Sequence, residues 1–412
     1  MFRSMRTIPR AVWVLAGGSL VNRFGGFVLV FLVLWVRHLG YSIPAAGLAA
    51  SAYAAGKMAA GPLGGELTDR IGGRVTTALS MFASAAAMLC LQAARPLPAI
   101  VALAALTGLA SELYRPATSA LLADAVRPDQ RVTAFGVYQL GVNLGMAAGP
   151  AVAGILAEQG FGWLFAVDAA TSAAWGVLAL VLLPARSRPP YGADPALAPP
   201  DPARRGPAVR LLLSTLLINV VLFQSEGAFA VWVTGHGHNT ATYGGLLSWA
   251  AVLTVALQLP LSNRTRHWDP AAVITVTCVS IGLGMGLVGL GGALPTLVLA
   301  VTVWTFGELV QWPVAAAYLT DLAPPNQLGR YAGLRSLAYG TALLIAPAFG
   351  TALYAWAPAA VWPACTAIGL AAGALVLPDL RRPNRRAGGD FATADIPSAS
   401  GETHRRGLVA GG

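Results

Sequence analysis

Residues 46–93 read AGLAASAYAAGKMAAGPLGGELTDRIGGRVTTALSMFASAAAMLCLQA, two apolar, small-residue runs on either side of one charged loop, Gly65 to Arg74. Each run has about the 20 residues that a helix needs to cross a bilayer, and neither alternates with the period of two of a barrel strand. Outward from this pair, charges, Pro and Gly punctuate the chain into twelve such runs, near 12–35, 46–67, 74–93, 98–122, 132–157, 162–183, 209–234, 241–261, 271–291, 295–318, 330–355 and 359–378. The 412 residues are 56% hydrophobic and 11% charged, with a mean hydropathy of +0.63, a balance that excludes a soluble globular surface. The fold class is an all-α integral membrane protein with twelve transmembrane helices. Met1 to Arg10 followed by a long apolar run reads as the first span, because it exceeds a signal-peptide core and has no small-residue cleavage site.

The net charge of +10 is topological. With a cytoplasmic N-terminus, Arg3, Arg6, Arg10, Arg70, Arg74, Arg127, Arg131, Arg186, Arg188, Arg204, Arg205, Arg210, Arg264, Arg266 and Arg330 all fall on cytoplasmic connections, as do six arginines after Leu380. The opposite loops hold Arg37 and Arg95. This positive-inside pattern puts both termini in the cytoplasm of a cell whose plasma membrane holds the chain, with lipid as its partner and no nucleic acid. Cys90, Cys278 and Cys365 share no metal-ligand spacing and read as packing residues, and His236 and His238 lack a third ligand, so neither a metal nor a cofactor is expected. No phosphate-binding loop or nucleophile-base pair points to an enzyme.

Residues 185–208, rich in Pro and Arg, read as a cytoplasmic linker between a first bundle of six helices, 1–184, and a second, 209–380, with a disordered tail over 381–412. At a shift of 197 residues Pro116 falls on Pro313, Asp124 on Asp321, Pro128 on Pro325, Gly136 on Gly333 and Pro150 on Pro347. One register through two helices and their loop indicates duplication, the arrangement of a carrier whose halves rock about a central site.

The loop Gly65-Glu66-Leu67-Thr68-Asp69-Arg70-Ile71-Gly72-Gly73-Arg74 pairs an acid at a helix end, able to meet the dipole of a neighbouring helix, with glycines that allow a tight turn. The fifth span carries Gly141, Gly145, Gly149, Pro150 and Gly154, a small-residue stripe toward one neighbour with a bend at the proline. In these two motifs the chain resembles the major facilitator superfamily over roughly residues 10–380. The loop is similar to its loop 2–3 signature, with Gly65, Asp69, Arg70, Gly72 and Arg74 in place, and the stripe is similar to the fifth-helix signature of its drug/proton antiporter branch. Gly73 stands where the family usually has a basic residue, and residues 262–268 keep Arg264 and Arg266 without an Asp-Arg pair. The resemblance implies two pseudo-symmetric six-helix bundles, with spans 1, 4, 7 and 10 around a cavity and spans 3, 6, 9 and 12 facing lipid.

Mid-membrane charges cost about 2.5–3.5 kcal/mol each on insertion scales, so they mark function or pairing. Arg23 falls in span 1, Glu112 and Arg115 in span 4, Glu226 in span 7 and Glu308 in span 10; Lys57, the only lysine, lies in span 2 and Asp168 in span 6. Glu112, Glu226 and Glu308 are the proton-coupling candidates. Glu112 is the first of them, with Arg115 one turn away as either a switching partner or a static salt bridge. Arg23 and Lys57 are substrate or counter-charge candidates, and Asn22 and Asn143 are polar contacts to substrate or to a neighbouring helix. Trp304, Phe306 and Trp312 on span 10 are candidates to line an apolar pocket, and Pro116 and Pro313 are hinge candidates. These readings describe a monomeric secondary transporter, coupled to protons, exporting small organic or drug-like molecules by alternating access. Proton-coupled uptake of a metabolite is the alternative, and a non-transporting scaffold or sensor the third reading.

Overall fold

The computed structural model describes residues 9–26, 28–127, 131–184, 202–265, 268–322 and 328–380. They form twelve spans and no strand. Span 1 is Arg10–Gly25 with Val28–His38; span 2 is Ile43–Ile71; span 3 is Gly73–Ala93; span 4 is Leu97–Glu112 with Tyr114–Ala125; span 5 is Arg131–Gln159; and span 6 is Phe161–Leu182. Span 7 is Pro202–Leu222, a 3-10 turn Phe223–Glu226 and Ala228–Gly235; span 8 is Thr240–Thr265; span 9 is Pro270–Val288; span 10 is Leu294–Leu322; span 11 is Leu328–Trp356; and span 12 is Val361–Val376. Eleven of these are long and apolar enough to cross a bilayer; span 2 has the length, but Gly, Ala and its charged residues lower its hydropathy. Span 7 is helical from Pro202, inside the linker expected over 185–208, because a proline fits the first turn of a helix, where no N–H is required. The linker before it, over 185–201, and the tail over 381–412 lie outside the described residues.

Three spans break. Span 1 stops at Gly26, and span 7 breaks 197 residues later, at Phe223. There Gln224 donates through Nε2 to the Ala346 carbonyl of span 11 at 3.0 Å. Span 4 breaks at Leu113 because Ser80 of span 3 enters its ladder, donating to the Ala110 carbonyl at 2.6 Å and accepting from the Tyr114 N–H at 3.1 Å. Pro116 removes the next donor, the one that would reach the Glu112 carbonyl. Span 10 continues through the matching position because Thr277, which occupies the place of Ser80, bonds the Ile274 carbonyl of its own helix at 2.9 Å. A break therefore accompanies Pro116 and none accompanies Pro313, whose side chain lies outside the described residues.

The halves meet along two seams built from equivalent residues. Span 5 lies against span 8: the Ala151 N–H donates to Ser248 Oγ at 2.9 Å, and a Cβ on Gly244 would sit 2.1 Å from the Pro150 carbonyl oxygen. Span 11 lies against span 2: the Ala348 N–H donates to Ser51 Oγ at 3.1 Å, and a Cβ on Gly47 would sit 2.7 Å from the Pro347 carbonyl oxygen. Gly47 and Gly244, Ser51 and Ser248, and Pro150 and Pro347 are all related by the 197-residue shift. In each seam the N–H that follows the helix proline is turned out of its own helix and captured by a serine of the other half. Both seams lie at the end of the bundle away from the Gly65–Arg74 loop, and Tyr243 closes that end further, its hydroxyl 2.9 Å from the Ser225 carbonyl and 3.3 Å from that of Val30.

Each seam hydrogen bond contributes about 1 kcal/mol, so Ser51→Ala with Ser248→Ala is expected to shift the closed-to-open ratio at this end by about thirty-fold. Spin labels at Gln159 and Asn239 in a cysteine-free background check this: the distance distribution lengthens in the double variant and moves part-way in either single one. An unchanged distribution would show that the serines do not hold the seam.

Candidate functional site

Glu112 ends the first segment of span 4 with its side chain 6% exposed, and three cations surround it. Its Oε1 lies 3.1 Å from Lys57 Nζ of span 2 and 3.3 Å from Arg23 Nη2 of span 1; its Oε2 lies 3.4 Å from Arg115 Nη1 of its own span. Arg23 reaches across from the N-terminal segment of span 1, where Gly141 and Gly145 let span 5 approach: Cβ atoms there would fall 2.4 Å from the Ala16 carbonyl and 2.6 Å from that of Leu20. Lys57 also stands over the Tyr53 ring at 5.9 Å, and the Tyr53 hydroxyl lies 3.2 Å from Ser111 Oγ.

Two cavities flank this cluster. A small chamber of about 150 Å³ lies toward the closed end, lined by Arg23, Asp168, Glu226 and the turn at Gly149–Pro150 among others. A large cavity of about 860 Å³ lies between the halves toward the Gly65–Arg74 end. It is lined from span 2 by Met58 and Pro62, from span 4 by Arg115 and Pro116, from span 7 by Thr215 and Asn219, from span 10 by Gln311, and from span 11 by Arg335 and Tyr339. Lys57 and Glu112 are the residues common to both cavities, so their ion pair forms the partition between them.

The sequence-based candidates separate accordingly. Glu112, Arg23, Lys57 and Arg115 come together, and Glu226 joins them across the chamber with Oε2 buried and without a hydrogen-bond partner among the described residues. Glu308 lies close enough to Glu226 for their charges to interact, but it lines neither cavity. Asn22 lines the chamber while donating toward Ser172 Oγ at 3.2 Å, so it ties span 1 to span 6. Asn143 accepts from Gln139 at 2.8 Å on its own span and lines neither cavity.

The apolar pocket expected on span 10 does not form as proposed. Trp304 is 2% exposed and packs edge-on to Phe229 at 5.1 Å, while Phe306 is 42% exposed. The cavity face of span 10 carries Gln311 and Ala315. Trp304 and Glu308 lie on that face at steps of seven and three residues before Gln311, whereas Phe306 lies about 200° around the helix from Trp304. The Trp312 side chain is outside the described residues.

Gly72 takes φ +82°, which only glycine adopts without strain, and turns span 2 into span 3. Arg70 pairs with Glu66 at 2.5 Å, and Asp69 is exposed without an ion pair or hydrogen bond to any described residue. Gly65 has open space around it, and Arg74 is half-buried. The span 5 stripe faces two neighbours instead of the one expected: Gly141 and Gly145 face span 1, and Gly154, whose Cβ would lie 2.6 Å from the Thr240 carbonyl, faces span 8. Helical periodicity accounts for this: the nine residues from Gly145 to Gly154 turn the helix through about 900°, which puts Gly154 on the opposite face. The ring nitrogens of His236 and His238 lie 2.9 Å and 2.6 Å from the carbonyls of Trp232 and Gly292.

The expected ring of spans 1, 4, 7 and 10 is also modified. Spans 4, 7 and 10 line the large cavity together with spans 2 and 11, which front it because they cross at a seam; span 1 reaches only the chamber. Asp168 of span 6, Asn219, Gln311 and Arg335 belong to the site and were not among the candidates. Asp168 and Arg335 were visible as charges inside spans, and Asn219 is the 197-residue partner of Asn22.

Two seams shut at one end, a cavity between halves at the other and a charged partition at its seat are the architecture of a membrane transporter. The Major Facilitator Superfamily family model matches residues 15–310, and the chain belongs to that superfamily. It is 26% identical to the uncharacterized MFS-type transporter YhjO of Bacillus subtilis over 290 residues, 69% of this chain and 71% of that one. It is 24% identical to the multidrug resistance protein MdtH of Aeromonas hydrophila over 338 residues, 79% of this chain and 83% of the relative. The quinolone resistance protein NorA of Staphylococcus aureus is 23% identical over 133 residues, 32% of this chain and 34% of the relative. Among solved structures, a POT family transporter in complex with 5-aminolevulinic acid shares the fold with a TM-score of 0.78 at 15% identity, covering 91% of this chain and 97% of that one.

Removing one partner from a buried ion pair costs about 3–5 kcal/mol, and Glu112→Gln leaves three cations without their carboxylate. Its thermal unfolding in detergent should fall well below that of Lys57→Gln, and the double variant should recover part of the loss. Equal stability of Glu112→Gln and the parent would mean that the cluster does not hold spans 1, 2 and 4 together.

Proposed function

We propose that this chain is a proton-coupled exporter of small, drug-sized organic molecules in the plasma membrane, with its Gly65–Arg74 end in the cytoplasm. The observation that carries this reading is the cavity of about 860 Å³ between the halves, within the range of drug-sized ligand sites, sealed at its far end by the paired seams. Arginine-rich connections at the loop end favour the cytoplasmic assignment, and the cavity then loads from the cytoplasm. Two features favour export: the span 5 stripe forms part of the seam that must open to release cargo, and the relatives include proteins named for multidrug and quinolone resistance.

Among the three carboxylates, Glu226 takes the proton in this reading. Glu112 is matched by three cations, whereas the buried Oε2 of Glu226 has no partner among the described residues and becomes a hydroxyl donor on protonation.

The test uses everted vesicles energised to be acid inside, with a pH-sensitive dye and a panel of lipophilic anions, cations and neutral compounds. Addition of a transported compound releases protons through the parent protein, and Glu226→Gln reduces that release by about ten-fold or more. Release that persists in Glu226→Gln and vanishes in Glu308→Gln moves the proton to Glu308. Accumulation in step with protons moving in the same direction would replace export with uptake.

A further inference from the structure

Resting on the carrier reading above, we infer that the large cavity selects organic anions, with the acidic group of the cargo held between Lys57 and Arg115 beside Glu112. The argument is one of charge placement. Among the described residues, the charged groups lining this cavity are Lys57, Arg115, Arg335 and Glu112, three cations against one carboxylate. The second half faces them, from spans 7 and 10, with neutral groups: Thr215, Asn219 and Gln311. The acids Asp168 and Glu226 lie on the chamber side of the partition, and Glu308 lines neither cavity. A cationic cargo would therefore meet like charge from spans 2, 4 and 11 and uncharged hydroxyl and amide groups from spans 7 and 10.

An anion finds its place ready because of how Glu112 divides its two oxygens. Lys57 and Arg23 share Oε1, and Arg115 has Oε2. When an incoming acidic group draws Lys57 away, Oε1 retains Arg23, so the buried carboxylate does not lose its counter-charge. Arg115, with its side chain 64% exposed, meets Glu112 as an ion pair and offers its guanidinium N–H donors to the cavity. Two cations on one side of a cleft form an arrangement that holds a carboxylate, sulfonate or phosphonate. The apolar body of the cargo then lies along Ala54, Met58, Pro62 and Leu343.

The same displacement has a mechanical result. Lys57 and Glu112 are the partition, so withdrawal of Lys57 toward the cargo joins the large cavity to the chamber that holds Glu226. Occupancy by an anion thereby opens a water path from the cavity to the proton-bearing carboxylate.

The experiment uses the purified full-length protein and three probes with one body: biphenyl-4-carboxylate, biphenyl-4-carboxamide and biphenyl-4-yl-trimethylammonium. Calorimetry provides Kd, and proteoliposomes report movement. The expected result is a Kd for the carboxylate about ten-fold or more below those of the other two, a preference lost in Lys57→Gln and in Arg115→Gln. Arg115→Gln keeps the test intact if the more buried Lys57 variant fails to fold. Equal or tighter binding of the trimethylammonium probe, a preference that survives Arg115→Gln, or no binding by any probe overturns the anion site. The first two of these leave the carrier reading standing. Carboxylate binding with the expected preference but no movement in proteoliposomes retains the anion site and removes the carrier reading.

Discussion

A carboxylate out of water must find counter-charge within a few ångströms, and Glu112 draws its counter-charge from three places at once. Arg23, Lys57 and Arg115 belong to spans 1, 2 and 4 and converge on two oxygens. This fixes where the three spans stand relative to one another at mid-depth, and therefore where the cavity floor lies. It also places the positive excess of the first half at the seat of the cavity, because one carboxylate cannot neutralise three cations. The break at Leu113 serves the same end: with Ser80 holding Ala110 and Tyr114, span 4 changes course immediately after Glu112, and Arg115 and Pro116 turn onto the cavity wall.

The duplicated sequence has been kept where geometry must repeat and lost where chemistry must not. Gly47 and Gly244, Ser51 and Ser248, and Pro150 and Pro347 build the same contact twice, since two halves that rock about a common axis need matched faces on both flanks. At the site, the partners of Lys57, Glu112 and Arg23 under the same shift are Thr254, Leu309 and Val220. The ion cluster around Glu112 therefore has no counterpart in the second half, where the shift partners of its members are uncharged. A site with unlike walls can orient an asymmetric cargo, which two like walls cannot do.

Much of this was legible in the sequence. Spans follow from the length of the apolar runs, and the gathering of Arg23, Lys57, Glu112 and Glu226 inside the bundle, away from lipid, follows from the cost of charge in lipid. The repeat register was read from prolines, glycines and one acid, and the same arithmetic reaches Ser51 and Asn219, which look unremarkable in isolation. What the sequence does not carry is azimuth and state. Trp304 and Phe306 are two residues apart and sit on different faces of span 10, one sealed in the core and one exposed. The break in span 4 and its absence in span 10 turn on a serine against a threonine, Ser80 and Thr277, a difference too slight to read before the neighbouring helix is in place.

A carrier avoids leaking protons only if the proton-bearing group is shut away when no cargo is bound. In this closed-end state the ion pair of Lys57 and Glu112 separates the chamber of Glu226 from the open cavity. Two arginines stay on Glu112 when Lys57 leaves, so the partition can open without stranding the carboxylate; a lysine, with its single flexible ammonium, suits the moving part better than a bidentate guanidinium would. The one lysine in the chain stands where a cation has to be both held and released, and the arginines stand where charge has only to be held.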